Sequence, residues 1–549
     1  MPPLRRLGAV SEHFPGGEPD DDRDAFGADR DLFDLFDDDT DRTDDDTDRT
    51  DADADTDLDE HPDREADMAV IKAGSRTLRT RATAPAPEDD VPGRPADPDL
   101  DRQLREVEDE LLGRWPETKL DPSLDRMRAL MDVLGQPQRS YPAIHITGTN
   151  GKTSTARMIE RLLLAFELRT GRYTSPHVQS VTERISLDGV PISAERFVEA
   201  HRDLQPYVGM VDDSQPHRMS FFEVLTGMAY AVFADAPVDV AVVEVGMGGS
   251  WDATNVVDGQ VAVVTPIALD HTERLGPTPG AIAGEKSGIV KKSATAVLAQ
   301  QPADAAQVLL KRAVEVDATV AREGVEFGLL HRELAVGGQL LTIRGLGGEY
   351  DQVFLPLHGE HQAHNAVVAL AAVEAFFGIG SLHQRTLDLD TVRDAFAAVT
   401  SPGRMEVVRR SPTVVLDAAH NPAGAQVTAA AVSEVFGFTH LVGVIAPSGD
   451  KDVRGLLEAF EPVLAEVVVT RNSTRRAMDV DALAALAVEV FGEERVQVEP
   501  RLDDALEAAV TLAEDEGEYA GAGVLVTGSV ITVGEARLLL GRGNSHRNN

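Results

Sequence analysis

Between residues 143 and 163 the spacing of apolar positions changes its period. Ala143, Ile144 and Ile146 form a short run that reads as a buried strand, and Met158, Ile159, Leu162 and Leu163 then recur at helical spacing. The alternation continues along the chain: VDVAVVEVG leads into a glycine-rich loop, and VAVVTPIALDH leads into another helical pattern. Strands built as near-continuous Val/Ala/Ile runs belong to parallel sheets covered by helices on both faces, which predicts an α/β fold. Each of the three strands ends in polar residues: Thr147 to Lys152, Glu244 to Asn255, and Asp270 with His271. In open sheets of this kind the ligand crevice lies at the carboxyl ends of the strands, so the three loops are expected to converge.

A Pro-Gly turn in VTSPGRMEVV, residues 399 to 408, follows a helical pattern and precedes a fresh strand. Beyond it TVVLDAAHN, HLVGVIAPSGDKD, EVVVTRN and GVLVTGS are four further strand candidates, again with polar ends, in a second, smaller Rossmann-like α/β domain. The expected division is a tail at 1–98, a larger domain at 99–400 and a smaller one at 401–549. A cleft between two such domains suits a reaction that brings a nucleotide to two other substrates.

The loop between the first strand and its helix, GTNGKTS, carries the sharpest chemistry. Backbone N–H groups at a helix opening have no internal partner and the helix dipole adds positive charge, so phosphate is the natural ligand. Gly148 and Gly151 let the backbone approach closely, Lys152 can pair with phosphate oxygens, and the Thr153 or Ser154 hydroxyl can reach a Mg²⁺. The full P-loop pattern has a glycine where this chain has Ile146, so a plain glycine turn stays open as the alternative on these residues alone. Glu244 and the Asp270–His271 pair are candidate Mg²⁺ ligands facing that loop. Lys286 in AGEKSGIV reads as lying near a helix start, and it is one of only eight lysines, which makes its position less routine. HGEHQAHNA would place His358 and His361 on one helical face with His364 rotated away, which argues against zinc.

Charge changes the picture at the N-terminus. The formal net charge is −41, and residues 1 to 100 hold 31 acidic against 12 basic residues. DDDTDRT occurs twice in succession at 37–43 and 44–50, so a disordered acidic tail is expected to about residue 98. LFDLF at 32–36 offers the alternative of a short anchor for a basic partner. Such acidity speaks against nucleic-acid binding, and no apolar run approaches a membrane span. No secretory signal is apparent, so a cytoplasmic protein, acting as a monomer, is expected. The absence of cysteine excludes thiolate metal sites and a cysteine nucleophile, which leaves hard cations such as Mg²⁺ as the best fit.

Taken together, GTNGKTS, YTSPHVQSVTERIS, SFFEVLT, VVEVGMGGSWDATN, IALDHTERLG, GEKSGIV, SPGRMEVV and DAAHNPAG stand in the order found in the folylpolyglutamate synthase/dihydrofolate synthase family of the Mur ligase superfamily. The likeness spans about residues 105 to 540, and RWPETKLDPSLDR resembles the actinobacterial form. The resemblance implies a P-loop ATPase domain and an ATP-dependent ligase that joins L-glutamate to dihydropteroate or reduced folates. Thr149, Asn150, Gly151, Lys152 and Thr153 would hold ATP phosphates, with Asn365, Arg404 and Asp417 reaching the nucleotide. Ser175 and Glu244 would ligate one Mg²⁺; His271 and Lys286, with Glu244 shared, would ligate a second. The family's lysine at position 286 is carbamylated, which turns a cation into an anionic oxygen ligand. Ser220, Phe222, Asp252 and Ala253 would face the pterin, and Arg184 and His420 the incoming glutamate.

One departure stands out, Ser250 where the family usually has arginine; it removes a bidentate guanidinium contact and is expected to alter affinity. Two rivals differ in class: a Mur-type ligase for a UDP-linked peptide, which would need a UDP-binding N-terminal domain, and a non-catalytic ATP-gated binding module. Glutamate-dependent phosphate release separates the second from an enzyme.

Overall fold

The computed structural model describes residues 97–115, 122–380, 385–515 and 521–541. The acidic tail expected at 1–98 lies, up to residue 96, outside them. Asp97 and Pro98 already belong to the fold, since the Asp97 carboxylate accepts the Asp99 N–H and caps the helix Pro98–Leu112.

An eight-stranded sheet holds the first half of the chain. Its strands are β1 (Ala143–Thr147), β2 (Thr170–Tyr173), β3 (Ile185–Leu187), β4 (Val190–Pro191), β5 (Val240–Glu244), β6 (Gly259–Val264), β7 (Thr295–Leu298) and β8 (Thr319–Arg322). They lie in the order β4-β3-β2-β5-β1-β6-β7-β8, parallel throughout except for β3 and β4. Every residue of β1 and β5 is buried, because helices cover both faces. Ile144, Ile146, Val240 and Val242 pack under the helices Lys152–Ala165 and Glu360–Phe376, whereas Ala143, Ala241 and Val243 face the helix Phe221–Asp235.

Three antiparallel strands, β9 (Gly328–Ala335), β10 (Gly338–Arg344) and β11 (Glu349–Leu355), form a separate small sheet that the periodicity did not disclose. It is tied to the helix Glu360–Phe376 by the buried Glu374, which accepts from the N–H groups of Leu346 and Gly347 and from the Tyr350 hydroxyl. The last sheet combines β12 (Glu406–Arg410), β13 (Thr413–Leu416), β14 (His440–Ile445), β15 (Glu466–Val469), β16 (Val496–Val498) and β17 (Ala522–Thr527) in the order β12-β13-β17-β14-β15-β16. The strand read after the Pro-Gly turn is β12, and the four read beyond it are β13, β14, β15 and β17; the edge strand β16 is additional.

Between the Lys152–Ala165 helix and β2 lies a buried ion pair. Arg172 Nε donates to Glu160 Oε2 at 2.6 Å, while its other nitrogens donate to the hydroxyls of Thr174 and Ser186. The bond to Thr174 fixes the start of the 174–178 loop, which borders the site. Glu160→Ala leaves the guanidinium buried without its counter-charge, and is expected to lower unfolding free energy by about 3–5 kcal/mol. Urea denaturation measures this, and a loss near zero would mean that water replaces the pair.

Candidate active site

The three predicted strand-end loops meet at one edge of the large sheet. Gly148 and Gly151 both take positive φ, and each presses so closely on a neighbour, Thr265 and Asn365 respectively, that a Cβ would collide. Thr149 ties the loop to the segment after β6: its hydroxyl donates to the Ala268 carbonyl and accepts the Ala268 N–H, both at 3.0 Å. Lys152 Nζ donates to the carbonyls of Gly148 and Thr149 at 3.1 Å each. Thr153 Oγ1 lies 3.0 Å from both carboxylate oxygens of Glu244, which also accepts the Ser175 N–H. Thus Lys152, Thr153, Ser175 and Glu244 are brought together.

Lys286 reaches the same loop from another side, donating to the Gly148 carbonyl at 2.7 Å. It occupies the last position of the helix Pro279–Lys286, not a helix start as the sequence suggested; Thr278 supplies the N-cap there. Asp270 and His271 lie six and seven residues past the end of β6 rather than at its tip, and His271 holds a left-handed backbone at φ 52. Burial dominates the electrostatics. It pushes the Lys286 ammonium down to about 7, lowers Lys152 as well, and raises the Glu244 carboxyl against the pull of Lys152 and Thr153. Burial also brings His271 down to about 4, opposed by the Asp270 charge, so its imidazole is neutral. Asp270 goes the other way: although burial opposes it, the neighbouring His420 and the Lys451 charge hold its carboxyl well below the usual range.

From the second half of the chain, side chains cross to these loops. Asn421 and Asn150 exchange amide bonds at 3.1 and 3.2 Å, and Asn421 also donates to Asp270. Lys451 Nζ donates to Asp270 Oδ1 at 2.6 Å and lies 3.1 Å from His271 Nε2. The sequence reading missed Lys451 and Asn421. The rarity of lysine, which drew attention to Lys286, applies equally to Lys451 in the loop after β14.

The remaining candidates differ in how free they are. Asn365 donates to Gln362 beside Gly151, and Arg404 has a 3.3 Å bond to its own Gly403 carbonyl. Asp417 is spent on the fold, accepting from Met405 N–H, Ala419 N–H and Thr428. His420 Nδ1 pairs with the Ala418 carbonyl, with Nε2 3.7 Å from Asp270. Arg184 donates to His177 and lies 5.0 Å over the Phe221 ring. Ser220 forms a capping box with Glu223 at the head of the helix Phe221–Asp235, and Asp252 caps the turn that starts at Ala253. Phe222, half-buried, keeps ring surface available beside Tyr173, 5.8 Å away.

Ser250 is exposed, and its hydroxyl and N–H both bind the Glu285 carbonyl next to Lys286, so it fastens the helix that carries that lysine. His358 precedes the helix that starts at Glu360, so the three histidines share no face; among the described residues no group of three His, Asp or Glu side chains is arranged to hold a metal ion. Nor is any described helix long and apolar enough to cross a membrane.

A parallel sheet with a phosphate-type loop, facing a second α/β sheet across a charged seam, is an architecture shared with known ligases. The Mur ligase middle domain matches residues 146–373, and the Mur ligase glutamate ligase domain matches residues 403–530. Dihydrofolate synthase/folylpolyglutamate synthase of Mycobacterium tuberculosis is 54% identical over 81% of this chain and 95% of its own length. The Bacillus subtilis counterpart is 32% identical, over 62% and 79%. Among solved structures, the M. tuberculosis folylpolyglutamate synthase complexed with ADP superposes with a TM-score of 0.78 over 81% of this chain and 99% of its own. Escherichia coli FolC in complex with DHPP and ADP does so at 0.68 with 29% identity, over 82% and 99%. The chain belongs to the dihydrofolate synthase/folylpolyglutamate synthase family of Mur ligases.

Proposed function

We propose that this chain is an ATP-dependent ligase that adds L-glutamate to dihydropteroate, to reduced folates, or to both, using the junction between a 99–400 lobe and a 401–549 lobe. The observation that carries the reading is the convergence of Lys152, Glu244, His271 and Lys286 on one loop cluster, with Asn421 and Lys451 arriving from the opposite sheet. That seam joins a phosphate-binding loop to a second lobe that can present another substrate. A UDP-peptide ligase is disfavoured by relatives that are folate synthases.

The γ-phosphoryl group passes from ATP to the acceptor carboxylate, giving an acyl phosphate; the glutamate amine attacks the carbonyl carbon, and phosphate leaves as the amide forms. Lys152 gives up its two carbonyl partners for phosphate oxygens, and the N–H groups that open the Lys152–Ala165 helix orient the chain of phosphates. Closure of the seam keeps water from the acyl phosphate.

The residues fit divalent cations. Glu244 is a buried carboxylate whose ionised form needs positive neighbours, and Lys286 is a buried amine near neutrality. Ser175 and Glu244 would hold one Mg²⁺, and Glu244, His271 and Lys286 the other; such ions, when bound, neutralise charge on the transferring phosphate. Lys286 joins that set as a carbamate, its Nζ lone pair adding to the carbon of CO₂ while the nitrogen gives up a proton. The amine form needed for this step is accessible because burial lowers its pKa to about 7.

Purified protein with ATP, Mg²⁺ and glutamate is expected to release phosphate only when a pteroyl acceptor is present, with a product one glutamyl unit heavier by mass. Acceptor-independent hydrolysis with no heavier product would overturn the reading.

A further inference from the structure

Arg157 lies on the phosphate-loop helix, a turn and a half past Lys152, and has no hydrogen bond and no ion pair among the described residues. The acidic side chains near it are already committed. Glu160 is bound by Arg172, and both oxygens of Glu183 accept N–H groups from Val178, Gln179 and Ser180. Burial, with Arg172 nearby, pushes the guanidinium down to about 9, which reflects the cost of holding a positive charge there without a partner. Such a group is costly to the fold and gains most from an anion.

Beside Arg157 opens a narrow recess walled by Thr153, Thr174, His177, Glu183 and Arg404. The recess is small, so it receives the end of a ligand rather than its body. Through Thr153, which bonds Glu244, it stands one side chain from the phosphate-loop cluster. A forked guanidinium without an acid partner among the described residues matches a carboxylate in shape and charge.

We propose that Arg157 forms a subsite for the α-carboxylate of a glutamyl group, belonging either to free glutamate or to the glutamyl end of a pteroylglutamate acceptor. The assignment rests on the ligase reading above. Dihydropteroate has no such α-carboxylate, so the second source would let one side chain grade acceptors by whether they already carry glutamate.

The test uses the full chain and Arg157→Met, with Arg157→Lys to restore charge. If the acceptor's carboxylate is bound, Arg157→Met raises KM for tetrahydrofolate by about tenfold to a hundredfold and leaves KM for dihydropteroate alone. If free glutamate is bound, KM for glutamate rises by the same factor with either acceptor. In both cases the loss falls on KM more than on kcat, and Arg157→Lys recovers part of it. An unchanged KM for glutamate and both acceptors, or a rise confined to ATP, overturns the proposal.

A thermal readout without turnover separates this from the ligase reading. L-glutamate should stabilise the wild type more than γ-aminobutyrate does, or para-aminobenzoyl-L-glutamate more than its γ-aminobutyrate analogue, and Arg157→Met should erase the difference. That difference in a protein with no ligase turnover would keep the subsite and discard the ligase reading; its absence would discard the subsite. Without ligand, Arg157→Met should melt no lower than the wild type, since it removes a half-buried charge that makes no hydrogen bond or ion pair among the described residues; a clear fall would show a structural arginine instead.

Discussion

Lys152→Ala is expected to reduce glutamate-dependent phosphate release by about a thousandfold or more, the range seen when a preorganised positive group is removed from a charge-developing centre. The ammonium is buried and reaches only the carbonyls of Gly148 and Thr149, so its native partners are parts of its own loop. Burial lowers its pKa, which means the charge is held there at the expense of the fold. Removing it should therefore leave thermal stability close to that of the wild type while the reaction is lost. An alanine variant with wild-type turnover would show that phosphate is held elsewhere.

Lys286→Ala is expected to cost about a hundredfold or more in turnover, and Lys286→Arg to fail comparably, since guanidinium keeps its positive charge and is not carbamylated. A direct readout accompanies the loss. With isotopically labelled bicarbonate, the wild type should show a carbamate resonance that both variants lack. The sign of the pH dependence follows from a pKa of about 7, lowered by burial. Below that pH the side chain is an ammonium with no lone pair for CO₂, and above it the free amine accumulates, so label incorporation should rise through neutrality. An arginine variant with full activity, or a wild type that takes up no label above neutral pH, would sink the carbamate.

The parts of the site legible in the sequence are those built from one strand and the loop at its carboxyl end. Gly148 and Glu244 stand directly at the ends of β1 and β5, where a run of apolar residues gives way to polar ones, and Lys152 opens the helix after the glycine loop, as the pattern points. Asp270 is less well placed, because five residues of loop separate it from β6 and loop path is not periodic. Lys286 was assigned to a helix start because two glycines flank it, yet Thr278 and Pro279 begin that helix and Lys286 closes it. Ser220 and Asp252 show a further ambiguity: the oxygen that suits a ligand also suits a helix cap, and here both are used as caps. The bonds of Lys451 to Asp270 and of Asn421 to Asn150 join residues far apart in sequence, and no local pattern encodes them. Arg157 is hidden for a different reason, since a charged residue on a helix normally reads as solvent-facing.

The strand orders also bear on how the chain matures. β1 is flanked by β5 and β6, so the strand that carries the phosphate loop gains no sheet partner until synthesis has passed Val240 and is not enclosed until Val264 has emerged. The second lobe is more extreme: β17, at Ala522–Thr527, lies between β13 and β14 in the middle of its sheet. A ribosome-bound chain must therefore carry that sheet uncompleted until Thr527 has emerged, with two apolar strand edges exposed to pairing with other chains. A stop codon shortly before Ala522 removes the keystone of that lobe rather than a dispensable end.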